Sequence, residues 1–421
     1  MRKLLLLIVG LFSCFSLCAQ NLTTQQYKQD FDYFWRTIDD NYCYWDKKQT
    51  DWNEVRKIYG PLVDTVTSKT GFISILEKTF YELYDHHASL NSNTAESQRL
   101  VPSGCDLWAE YINGKPTITE VHLNSGADKV GMWPGMEIVM VNDMPVETAM
   151  QDFLPKCMKG ADGEAKNYAL RELLAGKHSV KRKITASYQN QKKDFFPDQP
   201  INLLETNNYE TAIESKILQG NIGYIVIKNA LGNNKLIHVF DSVLTTLMNT
   251  KAMILDLRET PSGGNTTVAR SILGRFVTRE AFYQKHELTS EEKQFGVKQS
   301  WVEVVSPKKP PYKNLLIVLV DHWTGSVGEG IAIGFDALKR GTTIGTRMAG
   351  LNGAIYSFAM PNSGIGFSFP AEKLFHVNGT PRENFKPVVE VDLSKRKHNE
   401  DYILQQGLKY ISDPLVQKSR Q

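Results

Sequence analysis

The chain predicts an α/β protein, α+β overall, assembled from three parts of different texture. Three observations carry that prediction: N-terminal aromatics at helical spacing, a central stretch of short strands broken by turn residues, and a C-terminal half in which buried-strand runs alternate with helices. At 421 residues the chain exceeds one ordinary domain. Its 41% hydrophobic and 23% charged residues can bury sizeable cores, which excludes a disordered, collagenous or coiled-coil chain. The 49 basic and 46 acidic residues leave a net charge of +3, too small to draw in a polyanion over distance, so the balance argues against nucleic acid as a partner.

The first segment, 1–19, reads as a secretory signal: Arg2 and Lys3 precede an apolar run shorter than the ~20 residues that cross a bilayer, and small residues follow. Cleavage after Ala19 predicts an exported, periplasmic or extracellular protein with no stable membrane span. Lipid attachment at Cys18 is the alternative, although Leu17 before it is larger than such processing favours. The mature chain then keeps Cys43, Cys105 and Cys157, with no C-x-x-C pair to bind zinc or run redox chemistry.

Residues 20–98 predict a helical region. Phe31, Phe34, Trp35 and Ile38 mark one helix face, Asp51 with Glu54 reads as a capping box opening a second helix, and Ile73, Leu76, Phe80 and Leu83 mark a third that ends near His86-His87. Residues 99–200 predict a β-rich domain. There Ile118, Val121 and Leu123 alternate, a break falls at Ser125-Gly126, a turn at Pro134-Gly135, and the run Ile138 to Val141 enters a tight Asn142-Asp143 turn. This order resembles the second half of a PDZ domain, with Asp143 where Gly is commoner.

Residues 206–398 predict a layered α/β core. Buried-strand runs at Gly223 to Ile227, Ala252 to Leu257 and Leu315 to Asp321 are each followed by a helical stretch, which argues largely parallel pairing. A helix or tail, 399–421, closes the chain.

Ser326 carries the chemistry most plainly. It stands where a strand has ended and a helix begins, so the first unpaired helix amides and the macrodipole would stabilise negative charge beside its hydroxyl. A nucleophile and a plain N-cap both fit that position. Gly263 and Gly264 follow another buried strand and could bring a backbone amide close to a ligand, with the Val327 amide as a second oxyanion donor. No phosphate-binding glycine spacing is present, and no metal or organic cofactor is implied. Nine histidines could serve as base, among them His86, His87, His322, His376 and His398, and position alone does not choose between them.

The segments DLRETPSGG, VDHWTGSVGEG, IGTRMAGLNG and NGTPRENFKPVVEVD, in that order, resemble the C-terminal processing (tail-specific) serine peptidase family across nearly the whole mature chain. The resemblance implies a ClpP/crotonase-like layered catalytic domain joined to a PDZ-like domain, acting as a serine endopeptidase on polypeptide substrates such as unfolded proteins or C-terminal tails. In the Ser/Lys branch of that family the base is a lysine in a G-K-G context. Here the text is Gly350-Leu351-Asn352, Leu351 cannot take a proton, and neither Lys339 nor Arg347 stands at the motif position. The chain is instead similar to the tricorn-type branch, which implies His87 of LYDHHAS as base, Glu383 of RENFKP as the completing glutamate, and His86 where that branch can carry a serine. Thr260 replaces the usual Asn of the DLR turn, and Glu329 reads as a structural partner of Ser326.

Two other classes remain open at this stage. An α/β-hydrolase esterase would require an acid and a histidine after the serine, for which Asp336 and His376 are available, but Thr324 breaks the usual G-x-S-x-G elbow. A non-catalytic peptide- or lipophile-binding protein on the same scaffold would explain the absent lysine.

Overall fold

A computed structural model describes residues 22–199, 212–397 and 400–418, so the expected signal segment, Cys18 and His398 lie outside the described residues. The N-terminal helices are α1 (Thr24–Asn41), α2 (Trp52–Tyr59) and α3 (Lys69–Tyr81), followed by the short strand β1 (Ser89–Leu90). Asp51 caps α2 as expected, accepting from the Asn53 and Glu54 amides at 3.1 and 3.2 Å, but Glu54 turns away to Lys57. No reciprocal box forms. The third helix stops at Tyr81, short of the histidine pair. The buried Glu82 carboxylate accepts from the Tyr59 hydroxyl and the Lys156 and Cys157 amides, which draws the chain out of the helix, and Tyr84 turns through a positive φ of 34°. His86 and His87 therefore sit in a turn rather than at a helix end.

The β-rich unit comprises β2 (Leu107–Ile112), β3 (Lys115–Val121), α4 (Gly126–Lys129), β4 (Glu137–Val141), β5 (Met144–Pro145), α5 (Val146–Ala149), α6 (Gly163–Ala175), β6 (Ile184–Tyr188) and β7 (Gln191–Phe195). Its sheet runs β2-β3-β4-β6-β7, with β5 paired to β4. Leu123 falls beyond β3, because the chain turns to place Ser125 as N-cap of α4. Asn142 and Asp143 both take positive φ, 49° and 65°, which is the backbone a two-residue primed turn needs and which Asp tolerates in place of Gly.

The remaining chain forms two sheets. It supplies β8 (Ile213–Leu218), β9 (Ile222–Ile227), α7 (Leu236–Thr246), β10 (Ala252–Asp256), α8 (Thr266–Gly274), β11 (Ala281–Leu288), α9 (Thr289–Phe295), β12 (Gln299–Val305), β13 (Leu315–Val320), α10 (Val327–Ala337), β14 (Thr342–Gly345), β15 (Ala354–Ala359), β16 (Gly366–Phe375), β17 (Val389–Glu390), α11 (Tyr402–Ser412) and α12 (Pro414–Lys418). The central sheet runs β17-β14-β13-β10-β9-β8 and is parallel from β17 to β9, with β8 antiparallel at its edge. Alternate residues of its strands face opposite ways. Leu255, Val318 and Val320 pack under α7, α8 and α10, while Ile254, Ile317 and Leu319 pack against Ile403 and Ile411 of α11. Cover on both faces is why these strands read as unbroken apolar runs. The expected C-terminal tail is thus part of the core. Arg258, just past β10, ties it down through Asp256 at 2.6 Å and Asp401 at 2.7 Å.

The second sheet runs β1-β16-β11-β12, with β15 on β16. The aromatic stripe of α1 lies on it: Phe34 meets Phe367 of β16 at 5.0 Å between ring centroids, inside a cluster that also holds Phe31, Ile38, Phe72 and Phe80. The N-terminal helices and the second sheet therefore share one hydrophobic core, and β1 carries the preceding histidine turn onto that sheet. Among the described residues, no helix is long and apolar enough to cross a membrane.

Candidate active site

Two turns at the C-terminal edge of the parallel sheet interlock to present Ser326. The turn after β10 and the turn after β13 bridge at Thr260 and Thr324, and the Gly325 amide donates to the Thr260 carbonyl at 3.2 Å. Thr260 and Thr324 hydroxyls both donate to the Leu257 carbonyl, at 2.6 and 3.2 Å. The Thr324 hydroxyl and the Gly325 amide thus fasten the two turns together, while the Thr260 hydroxyl closes its own turn. Ser326 itself adopts φ 49° and ψ −109°, a strained conformation for a residue with a side chain. Its amide is held by Glu329 Oε2 at 2.8 Å. Strain of this kind costs about 1–3 kcal/mol and persists only where the surroundings enforce it, so it marks Ser326 as more than a helix cap.

The glycines after β10 differ in role. Gly263 has φ +65°, and a Cβ there would collide with the Cβ of Ser326. Its amide is occupied, donating to the Thr260 carbonyl at 3.2 Å. The Gly264 and Val327 amides have no partner among the described residues, and both line, with Ser326, a cavity of about 310 Å³. Glu329 is fully buried, accepts a second amide from Gly350 at 3.0 Å and lies 3.7 Å from the Arg382 guanidinium. Burial pushes its carboxyl up to about 7 against the pull of Arg382 and the two amides.

His87 approaches from the other side. Its Nδ1 donates to the Asn352 carbonyl at 2.6 Å, which leaves Nε2 as the acceptor nitrogen. Burial, with the Arg382 charge, lowers its pKa to about 4, so the ring is neutral at pH 7. Asp85 organises this half: it accepts from the His87 amide at 3.0 Å, the Asn352 side chain at 2.8 Å and the Tyr42 hydroxyl at 2.7 Å. Arg382, in a single 3-10 turn at Arg382–Asn384, links the halves by donating to the Leu351 and Gly353 carbonyls at 2.9 and 2.7 Å while facing Glu329. No hydrogen bond joins the His87 ring to the Ser326 hydroxyl among the described residues.

The other sequence candidates divide clearly. Glu383 lies next to this network: Oε1 pairs with Lys47, while Oε2, the Tyr44 hydroxyl and Arg382 Nε are buried without partners among the described residues. His86 points elsewhere. Its Nδ1 is hydrogen-bonded to Glu172 of α6 at 3.0 Å, and its ring stacks on Tyr168 at 4.5 Å. Leu351 is buried against the turn that carries Ser326, its methyl 3.3 Å from where a Gly325 Cβ would stand, so the place beside Ser326 is apolar.

His322 and Trp323, just before Ser326, are held by the β-rich unit. His322 is hydrogen-bonded to Glu120 and stacks on Trp108 at 4.5 Å, and Trp323 Nε1 donates to the Cys105 carbonyl at 2.7 Å. His376 and Asp336 do approach, at 3.2 Å, but Asp336 sits near the far end of α10, about 15 Å along the helix from Ser326. That separation removes the esterase arrangement.

Asp85, Asn352 and Arg382 are the residues that sequence reasoning passed over. Asp85 stands inside the LYDHHAS motif and Arg382 beside Glu383, so motif adjacency is the signal that could have found two of them.

Residues 23–80 match the family model described as the Tricorn protease C1 domain, and residues 221–392 match peptidase family S41. Together the matches span more than half of the chain. No curated protein matches it. Among solved structures, mature CPAF is similar with TM-score 0.63 and 14% identity, over 94% of this chain and 98% of that one. The photosystem II D1 C-terminal processing protease gives TM-score 0.54 and 15% identity, over 93% and 98%. A putative peptidase from Parabacteroides merdae ATCC 43184 gives TM-score 0.54 and 18% identity, over 91% and 96%. At such identities the likeness to these structures is one of fold.

Proposed function

Since the chain belongs to peptidase family S41, the C-terminal processing peptidases, and is a serine-type peptidase, we propose that Ser326 is its nucleophile, His87 its base and Glu383 the completing carboxylate. The single observation that carries this reading is the strained backbone of Ser326 at the mouth of a cavity shared with two unpartnered amides. His87, neutral and with Nε2 unprotonated, takes the Ser326 proton as Oγ attacks a peptide carbonyl. The Gly264 and Val327 amides receive the oxyanion, each worth roughly 10²- to 10³-fold in rate. Collapse of the tetrahedral intermediate releases the amine, which leaves with the proton from His87, and water then hydrolyses the acyl-serine by the same base. Because proton transfer needs about 3 Å between heavy atoms, substrate binding must bring the imidazole and hydroxyl together, a tightening common on going from the free to the bound enzyme.

Glu383 acts at one remove. Its carboxylate pairs with Lys47 and follows Arg382 in the same 3-10 turn, so it would hold the turn that carries the Arg382 guanidinium. His86 is assigned to the contact with α6 instead. The β-rich unit, read as PDZ-like, would add an extended peptide to a sheet edge and bias cleavage toward C-terminal tails or unfolded chains. Export follows from the signal-like N-terminus.

The test is labelling with a fluorophosphonate and hydrolysis of denatured protein by the mature chain. Labelling and hydrolysis that vanish together in Ser326→Ala support the assignment, and hydrolysis that survives in that variant overturns it.

A further inference from the structure

The cavity beside Ser326 continues between α10 and the second sheet, and its far end is rich in acceptors. Gln284 and His286 on β11, Glu303 on β12 and Glu372 on β16 meet there. His286 Nδ1 is hydrogen-bonded to Glu372, and the Gln284 amide nitrogen lies 3.1 Å from His286 Nε2. Tyr356 donates to Glu372 at 2.9 Å and Tyr283 donates to Glu303. Arg270 reaches Glu303 at 3.0 Å from the solvent side. Every neutral hydroxyl at this end is already donating.

One acceptor is left over. Gln284 is only 3% exposed, and its Oε1 has no partner among the described residues. That oxygen abuts Gly330, where a Cβ would stand 2.9 Å away, and is sealed from solvent, so the Gln284 amide must turn toward the cavity to receive a donor. Gly330 lies one helical turn beyond Ser326, about 6 Å along α10. That depth suits the four-carbon stem of a lysine whose carbonyl is at Ser326. Val327 and Leu374 give the stem apolar walls, and the Trp301 ring, stacked on His286 at 5.1 Å between centroids, backs the far end.

Resting on the reading of Ser326 as nucleophile, we propose that this cavity receives the side chain on the acyl side of the cleaved bond. It selects a long side chain ending in N–H donors, as in lysine, arginine or glutamine, over an apolar side chain of equal length and over glutamate. The local field agrees. Burial opposes a charge on Glu303, yet its hydrogen bonding and the neighbouring Arg270 hold its carboxyl below the ordinary range. A carboxylate entering this end would meet Glu303 and Glu372, whereas the Arg382 guanidinium also lines the cavity.

Peptide substrates identical except for lysine, arginine, glutamine, norleucine or glutamate before the cleaved bond test this. The donor-ended peptides are expected to exceed norleucine in kcat/KM by about tenfold or more, with glutamate lowest. Preference for lysine and arginine alone assigns the selection to Glu303 and Glu372, and preference that includes glutamine assigns it to Gln284. Gln284→Leu and Glu372→Gln should each shrink the ratio of lysine to norleucine several-fold, whatever their absolute rates.

Norleucine or glutamate equal to lysine in the wild-type protein overturns the proposal. Fluorophosphonate labelling of Ser326 in that case leaves the peptidase reading standing. If neither labelling nor hydrolysis occurs, calorimetric binding of lysine-ended and norleucine-ended product peptides to the same protein still decides the cavity: tighter binding of the lysine-ended peptide supports it, and equal binding ends it.

Discussion

The serine half of the site is fixed inside the parallel sheet's own turns, whereas the histidine half hangs on a turn delivered by the N-terminal helices. Around Ser326 the constraints are short in reach: two threonine hydroxyls on one carbonyl, a glycine that only fits without a side chain, and a buried glutamate on the serine amide. Around His87 they span the chain, since Asp85 holds Asn352 and Asn352 holds the imidazole. The contrast teaches that the proposed nucleophile and oxyanion donors belong to the turns of one sheet, while the proposed base is brought in through a shared hydrophobic core between α1, α3 and β16.

The largest effect should come from the self-contained half. Ser326→Ala is expected to lower kcat/KM by 10⁴-fold or more while the thermal midpoint changes little, because alanine keeps the Cβ and with it the backbone strain. His87→Ala should cost about 10²- to 10⁴-fold, measured on the same peptide. Asp85→Ala probes the imported half without touching substrate. Loss of its three hydrogen bonds should drop kcat by up to about 10²-fold through misplacement of the ring, with KM changing much less. Equal losses in KM and kcat would show that Asp85 merely supports the fold.

Acidity separates the halves again. Burial has lowered His87 to about 4, so the acid limb of kcat/KM should lie near pH 4 instead of near the usual 6.5. The linked stability has a definite sign: the unfolded histidine takes a proton first, so this contribution is complete above about pH 6.5 and is lost as pH falls through about 4. An acid limb near 6.5 would mean that the ring is solvated in the working enzyme. The smallest effect belongs to His86→Ala, within about threefold in kcat/KM, because its ring faces Glu172 and Tyr168.

Legibility in the sequence followed the same divide. The central strands were readable because cover on both faces makes them continuously apolar, and Ser326 was readable because strand, turn and helix follow one another locally. The stripe of Phe31, Phe34 and Ile38 announced a helix but not that its partner would be Phe367, more than three hundred residues on. His87 was singled out through a motif, whereas its carriers were not, since nothing periodic links Asp85 to Asn352. The helix expected to reach the histidines stopped early because buried Glu82 found its partners in Tyr59, Lys156 and Cys157, a tertiary cause with no local mark. The acceptor-rich end of the cavity was equally hidden, since alternation along β11, β12 and β16 gives only the face of each side chain.

The grip of the β-rich unit on the residues before Ser326 makes Trp323 an optical gauge of that contact. Its indole is almost wholly buried, donates to the Cys105 carbonyl and lies 4.5 Å from the His122 ring. Any event that slides the β-rich unit against the sheet must dislodge this indole, so such sliding would be read as a change in tryptophan emission before a single bond is cut.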